Sequence, residues 1–211
     1  MRAAGFSDRA PEVVIRVVSA GSNNLPAIRW HLRDISYGKH RMLETDDGER
    51  IADKAAASRL VEDWDLDLDE LTARAYFPAR HQPRKLVHKL LFSMPAGTSP
   101  DKLLAAVRDF AREAFGFDHR YALALHTDEP HPHVHLVLRV ENRECIRLNI
   151  RKPMLHSWRQ LFAHHLRAQG VAAKATRRAE RHVVRRPAKV PGMLRPVRKA
   201  YSPRIPQKRA A

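Results

Sequence analysis

The sequence predicts an α/β fold in which a single antiparallel β-sheet of about five strands carries helices packed on it, followed by a disordered basic tail. Three observations predict it. Short β-branched or apolar runs alternate with longer segments whose apolar residues recur at helical spacing. Of the 211 residues 44% are hydrophobic, enough for one real core. The charge is also unevenly divided. The formal total is +16, yet residues 1–173 hold 26 Lys and Arg against 22 acids, while the segment from Lys174 onward holds 13 against one.

Taken in order, the first ordered segment is Glu12 to Ser19, a β-branched run bounded by Ala-Gly-Ser-Asn-Asn and therefore a strand. A helix follows, with Asn23 or Asn24 as cap, Pro26 in its first turn, and Leu25, Ile28, Leu32 and Ile35 on one stripe ending near Gly38. Glu44 to Gly48 reads as a turn. Residues 52–76 carry Leu60, Trp64, Leu68 and Leu71 at i, i+4, i+8 and i+11, which predicts one or two helices.

Leu86 to Met94 is the second strand. Thr98-Ser99-Pro100-Asp101 then supplies a cap, an N1 proline and an early acid for a helix to Phe115, with Leu104, Val107, Phe110, Ala111 and Ala114 inward and Gly116 as stop. Two strands come next, Arg120 to His126 and His133 to Val140, then a short segment from Arg147 to Ile150 and a helix from Pro153 to about Ala168. Trp30, Trp64 and Trp158 all fall at helical, core-like spacings and read as core, with stacking on bases as the minority reading for each.

The chain has no run of eighteen apolar residues and no apolar stretch in its first ten, so neither a membrane span nor a secretory signal is expected and the location expected is cytoplasmic. Cys145 is the single cysteine, which excludes an internal disulfide and a cysteine-cluster zinc site. A basic balance of this size points to a polyanion. Within the tail, Arg177, Arg178 and Arg181 open an Arg-rich, Pro-rich stretch that reads either as a phosphate-binding arm or as a solubilising extension.

The most informative stretch is His126-Thr-Asp-Glu-Pro-His131-Pro-His133-Val-His135, four imidazoles in ten positions. Alternation along a strand puts His133 and His135 on one face and Val134, Leu136 and Leu138 on the other. On the preceding strand His126 shares a face with Ala122 and Ala124, opposite Tyr121, Leu123 and Leu125. If the two strands pair as a hairpin, His126, His133 and His135 converge into a three-histidine metal site with open coordination positions. Asp128 is either a carboxylate that fixes the tautomer of one ligand or a turn residue ahead of Pro130. His131 is a phosphate contact or a further ligand.

The pattern His126, Asp128, His133, His135 resembles the third motif of the conjugative relaxases, in particular the MobP group of HUH-type DNA-nicking transesterases that includes the T-DNA border endonucleases. Val14 to Val18, Phe92 to Thr98 and Ala175 to Arg181 resemble the same family in the same order. The resemblance covers residues 12–182. It implies a flexible N-terminus over 1–11, an HUH relaxase-like domain over 12–182, and the basic tail over 183–211.

The activity implied is nicking of one strand at an origin of transfer. A tyrosine attacks the phosphodiester and is left as a 5′-phosphotyrosine, while a divalent ion, Mg²⁺ or Mn²⁺ with Zn²⁺ possible by ligand chemistry, polarises the phosphate. Asp128 is the residue best positioned to help deprotonate it. In the resembling group the nucleophile lies in a stretch like His-Leu-x-Tyr-Ile-Ser. This chain has His31-Leu-Arg-Asp34-Ile-Ser-Tyr37, so an ungapped match puts Asp34 at the tyrosine position and leaves Tyr37, nearly one turn on, as the candidate. The alternatives are a degenerate origin-binding relative without a nucleophile, a metal-dependent hydrolytic nickase and, last, a hydrolase of small phosphorylated substrates.

Ser93 resembles a second motif that contacts DNA near the cut, and reads equally as a strand-end residue. Arg139, Arg143, Arg147, Arg151 and Lys152 hold phosphates or form a solvated basic edge. The partners implied are single-stranded or supercoiled origin DNA, accessory relaxosome proteins and the coupling protein of a type IV secretion channel, with no membrane insertion.

Overall fold

The computed structural model describes residues 10–18, 22–36, 42–52, 55–76, 84–116 and 118–176. Tyr37, Gly38, Arg177, Arg178, Arg181 and the rest of the tail lie outside the described residues, as do residues 1–9.

The described elements are β1 (Val14–Val18), α1 (Leu25–Ser36), β2 (Leu43–Thr45), β3 (Arg50–Ile51), α2 (Ala56–Asp63), α3 (Leu66–Tyr76), β4 (Val87–Ser93), α4 (Pro100–Phe115), β5 (Tyr121–His126), β6 (His133–Arg139) and α5 (Lys152–Ala168). The strands form one sheet in the order β1-β4-β6-β5-β2-β3, every neighbouring pair antiparallel. The expected architecture is present, with two differences in the strand set. Residues 43–51 form a hairpin rather than a bare turn, closed by Thr45 and Glu49 and turned at Gly48, whose φ of 87° suits a residue without Cβ. Arg147, by contrast, contributes only an isolated bridge to Glu141.

The sheet is covered on both faces. Ile15, Leu90, Phe92, Val134, Leu136, Leu138 and Leu123 point to one side and pack against Phe110, Phe115, Trp158 and Phe162 of α4 and α5. Val87, Ala122, Ala124 and Val137 point to the other and pack against Leu25, Ile28, Leu32 and Ile35 of α1 and Leu60 and Trp64 at α2. With both faces buried, the alternation of β5 and β6 is apolar against small or functional residues rather than apolar against charge.

Local signals explain three of the helix ends. The Asn24 side chain accepts from the Ala27 N–H at 3.0 Å and caps α1. Ser99 holds the extended N-cap conformation ahead of Pro100. α5 closes on Gly170 at φ 73°, with Val171 N–H donating to Leu166 O at 2.8 Å.

Two expectations fail on helical phase. Asp65 has a φ of 51° and breaks the stretch into α2 and α3, so Leu66 becomes buried while Leu68 and Leu71 turn outward. Trp64 and Trp158 are buried as expected, but Trp30 is 65% exposed, because it lies across the helix from the Leu25, Ile28, Leu32 and Ile35 stripe.

Candidate metal centre

β5 and β6 pair as the hairpin that the histidine spacing requires, with His126 directly opposite His133 and Ala124 opposite His135. The three side chains therefore share the face that α1 covers. Their ring centroids lie 5.2 Å apart for His126 and His133, 4.6 Å for His126 and His135, and 5.3 Å for His133 and His135. One ligand atom from each lies within 4.8 Å of the other two. Ala124 matters here because its methyl leaves the space beside His135 that a larger side chain would fill.

Hydrogen bonds fix two of the rings. Nε2 of His126, a buried residue, lies 3.0 Å from the main-chain oxygen of Ile35, and Nδ1 of His133 lies 3.0 Å from that of His131. A carbonyl oxygen only accepts, so in each ring the facing nitrogen carries the proton and donates. The other nitrogen, Nδ1 of His126 and Nε2 of His133, is the one that would face a cation. A donor set of three imidazoles, two of them with a carbonyl oxygen behind the ring, fits a divalent ion.

A fourth imidazole stands beside these three. His31 of α1 meets His135 edge-on, ring centroids 5.7 Å apart, and its buried Nε2 has no hydrogen-bond partner among the described residues. Burial, and then the positive charge of Lys89, lower its pKa to about 4, so the ring is neutral. Lys89 is itself a buried cation in β4, facing the same layer, and burial pulls its pKa below the usual lysine range.

Ser93 pairs opposite His133, and Val14 pairs opposite Ser93, so Val14, Ser93, His133 and His126 form one row across the sheet. The next row on the same face is Arg16, Leu91, His135 and Ala124, which puts the exposed Arg16 about two strand spacings, roughly 10 Å, from His135. Asp128 is exposed in the turn between β5 and β6. His131 is tied down, its Nδ1 accepting the Ala96 N–H at 3.0 Å, which joins that turn to the turn after β4.

The basic residues expected at the site divide differently. Arg139 sits at the far end of β6, six residues and roughly 20 Å from His133, and holds Asp69 with two hydrogen bonds of 3.2 and 3.0 Å. Arg147 pairs with Glu141 and with the Lys85 carbonyl. Arg151 and Lys152 are exposed at the start of α5, in the layer on the other face of the sheet. The structure thus gathers Ser93 and the three histidines and leaves these four basic residues elsewhere. Sequence reading missed His31, Lys89 and Arg16 as neighbours of the site. The signal available for the last two was strand alternation carried from β6 to β4 and β1.

The family model for relaxases, "MobA/VirD2-like, nuclease domain", matches residues 41–171, which include the three histidines. The chain belongs to this relaxase nuclease-domain family. It is similar to the T-DNA border endonuclease VirD2 of Agrobacterium fabrum, 34% identical over 122 residues, 52% of this chain and 27% of that protein. The VirD2 proteins of Rhizobium rhizogenes and Rhizobium radiobacter are each 33% identical, over 122 and 114 residues. The chain therefore spans about a quarter of the length of the curated relatives it matches. A solved chain from "Molecular Basis of Vancomycin Resistance Transfer in Staphylococcus aureus" aligns over 46% of this chain and 60% of its own, with 15% identity and a TM-score of 0.35.

The relaxase family match starts after α1. It covers the imidazole hairpin and leaves out the segment from His31 to Tyr37 that carries the nucleophile question. Among the described residues no helix is long and apolar enough to cross a membrane.

Proposed function

We propose that this relaxase-family chain nicks one DNA strand at an origin of transfer by tyrosine transesterification. The observation that carries the reading is the convergence of His126, His133 and His135 beneath the last turn of α1, with Ile35 bonded to His126 and Tyr37 two residues further along the chain.

His126, His133 and His135 would hold the divalent ion, Mg²⁺ or Mn²⁺ or, by ligand chemistry, Zn²⁺, whose contribution there is Lewis-acid polarisation of the scissile phosphate. The Tyr37 hydroxyl attacks phosphorus, the Oη–P bond forms, and the bond from phosphorus to O3′ breaks. The DNA is left as a 5′-phosphotyrosine with a free 3′-hydroxyl, which takes up a proton. Asp128 takes the phenol proton, since a hydroxyl with a pKa near 10 needs a base at neutral pH. Ser93 holds DNA beside His133, and His131 holds a neighbouring phosphate through its second nitrogen. Arg177, Arg178 and Arg181 add phosphate contacts that are blind to sequence. The setting is conjugative transfer from the cytoplasm, with accessory relaxosome proteins and a type IV coupling protein as partners.

A second reading has its own support. The residue aligned with the family's tyrosine is Asp34, exposed on α1, which suits an origin-binding relative that forms no adduct, or a nickase that uses water. Incubating the chain with Mg²⁺ or Mn²⁺ and a labelled single-stranded origin oligonucleotide separates the readings. Transesterification yields an SDS-resistant protein–DNA adduct that Tyr37→Phe abolishes. Tight binding without an adduct supports the degenerate relative, and cleavage without one supports hydrolysis.

A further inference from the structure

We propose that Trp30, with Arg29 and Arg33 beside it on the outer side of α1, is a stacking platform for a base of single-stranded DNA entering the imidazole centre. This rests on the reading that the chain acts on single-stranded DNA.

The indole is out of place as a core residue. Trp64 and Trp158 are 0% and 8% exposed, whereas Trp30 is 65% exposed. The inward stripe of α1 is already filled by Leu25, Ile28, Leu32 and Ile35, all buried, so packing gives no reason for a tryptophan at this position. A lone exposed apolar residue would be ordinary by itself. What distinguishes this one is its company.

Arg33 is the i+3 neighbour of Trp30 and the i+4 neighbour of Arg29, so the three side chains rise from adjoining positions on one helix surface, and both arginines are exposed. An aromatic face bordered by cations is the combination that binds single strands without sequence preference: a base stacks on the ring and its flanking phosphates meet the guanidinium groups. Two exposed arginines against the single carboxylate of Asp34, the i+4 neighbour of Trp30, leave this surface net positive, which suits a polyanion. An apolar protein partner fits it less well, since the other exposed positions of α1 are Pro26 and Asp34.

The location is what links the platform to the chemistry. His31, whose ring meets His135, follows Trp30 in the helix and projects about 100° around the axis from it, so Trp30 lies on the outer surface next to the flank of α1 that His31 occupies. A base on Trp30 would hold the strand over the edge of α1 that borders the three histidines. That is a positioning role, distinct from contact with the reacting phosphate.

The distribution of tryptophans makes the test selective. Two of the three indoles are buried, so quenching of intrinsic emission by an oligothymidylate reports on Trp30. The full chain is titrated with that oligonucleotide in EDTA, with affinity followed separately by the anisotropy of a labelled copy. The expected result is quenching that Trp30→Phe and Trp30→Ala both abolish. Affinity should fall about 5- to 150-fold in Trp30→Ala, the equivalent of one stacked base, with most of it retained in Trp30→Phe. Because the side chain is exposed, both variants should keep the wild-type circular dichroism and melting temperature. Unchanged affinity and unchanged quenching in Trp30→Ala overturn the platform while leaving the nicking reading intact. So does a change in sedimentation from dimer to monomer on Trp30→Ala, which would make the surface a self-interface. Absence of any oligothymidylate binding by the wild type overturns the single-strand reading itself, and the platform with it.

Discussion

The main-chain oxygen of Ile35 accepts the Nε2–H of His126 at 3.0 Å, so the last turn of α1 is bonded directly to one of the three converging imidazoles. The helix α1 and the hairpin that bears the three imidazoles are in this way one mechanical unit. Ile35 is fully buried, and truncating it to Ala should cost about 2–5 kcal/mol of unfolding free energy. Because the cavity opens under the turn that orients His126, cation affinity should fall as well, about 10- to 100-fold, as when a ligand is deprived of its supporting partner. Ile28→Ala is the control: equally buried on the same helix, two turns away, it should be destabilised to a comparable extent and leave cation affinity unchanged. Urea denaturation and Mn²⁺ titration calorimetry on both variants check this.

A buried carboxylate is held on the other side of the sheet. Glu44 is 8% exposed and is gripped by Arg108, whose Nη2 reaches Oε2 at 2.7 Å while Nε holds Oε1, with Arg50 at 3.5 Å. The hydrogen bond to Glu44 raises the Arg108 pKa above its usual value. Arg108→Met leaves that carboxylate only the exposed Arg50 and should destabilise the fold by about 1–3 kcal/mol, whereas the double variant Glu44→Leu, Arg108→Met should recover most of that stability. Chemical denaturation of the single and double variants measures it, and a double variant no more stable than Arg108→Met would contradict the expectation.

Stability should also depend on pH through imidazoles that folding removes from water. His31 has a folded pKa of about 4 against about 6.5 in an unfolded chain, so between these values the unfolded state binds more protons. Stability is therefore complete above pH 6.5 and declines as pH falls toward 4. His88, buried and donating to the Leu148 carbonyl at 2.9 Å, has its pKa lowered mainly by burial and acts with the same sign. In EDTA, the slope of unfolding free energy between pH 7 and 5 should be shallower in His31→Gln than in the wild type. An identical slope would mean that His31 takes up its proton as readily folded as unfolded.

How far the sequence could be read follows from the range over which each signal acts. Strand alternation is a local rule, and it is enough to put His133 and His135 on one face; a six-residue connection then brings His126 opposite His133. His31 is different. It is 95 residues from His126 in the chain, and its approach to His135 depends on how α1 lies across the sheet, which no spacing encodes. The same limit applies to Arg139 and Arg147, read as phosphate contacts or a solvated basic edge: their type does not reveal the pairs they form with Asp69 and Glu141. Periodicity failed where one residue resets it, at Asp65, and where a strand is too short to show it, as in the hairpin of β2 and β3. Trp30 was misread because helical spacing says only that a residue shares a helix with the core stripe; its angle around the axis decides burial.

Charge separates the domain from the segment that follows it. Residues 183–211 hold nine Lys and Arg and no acid, while the imidazole centre is built from residues 126–135 of the nearly balanced body. Ending the chain at residue 182 should therefore weaken binding to single-stranded oligonucleotides of any sequence and flatten its dependence on salt. Removing one phosphate–cation pair lowers the slope of log affinity against log salt by about 0.7. The position of the nick should not move, because cations on phosphate hold the strand without reading it. Anisotropy titrations at several NaCl concentrations, alongside mapping of the cleavage site for both chains, test the two parts together. A shifted nick, or a salt slope unchanged by the truncation, would assign residues 183–211 a role in reading sequence or none in binding.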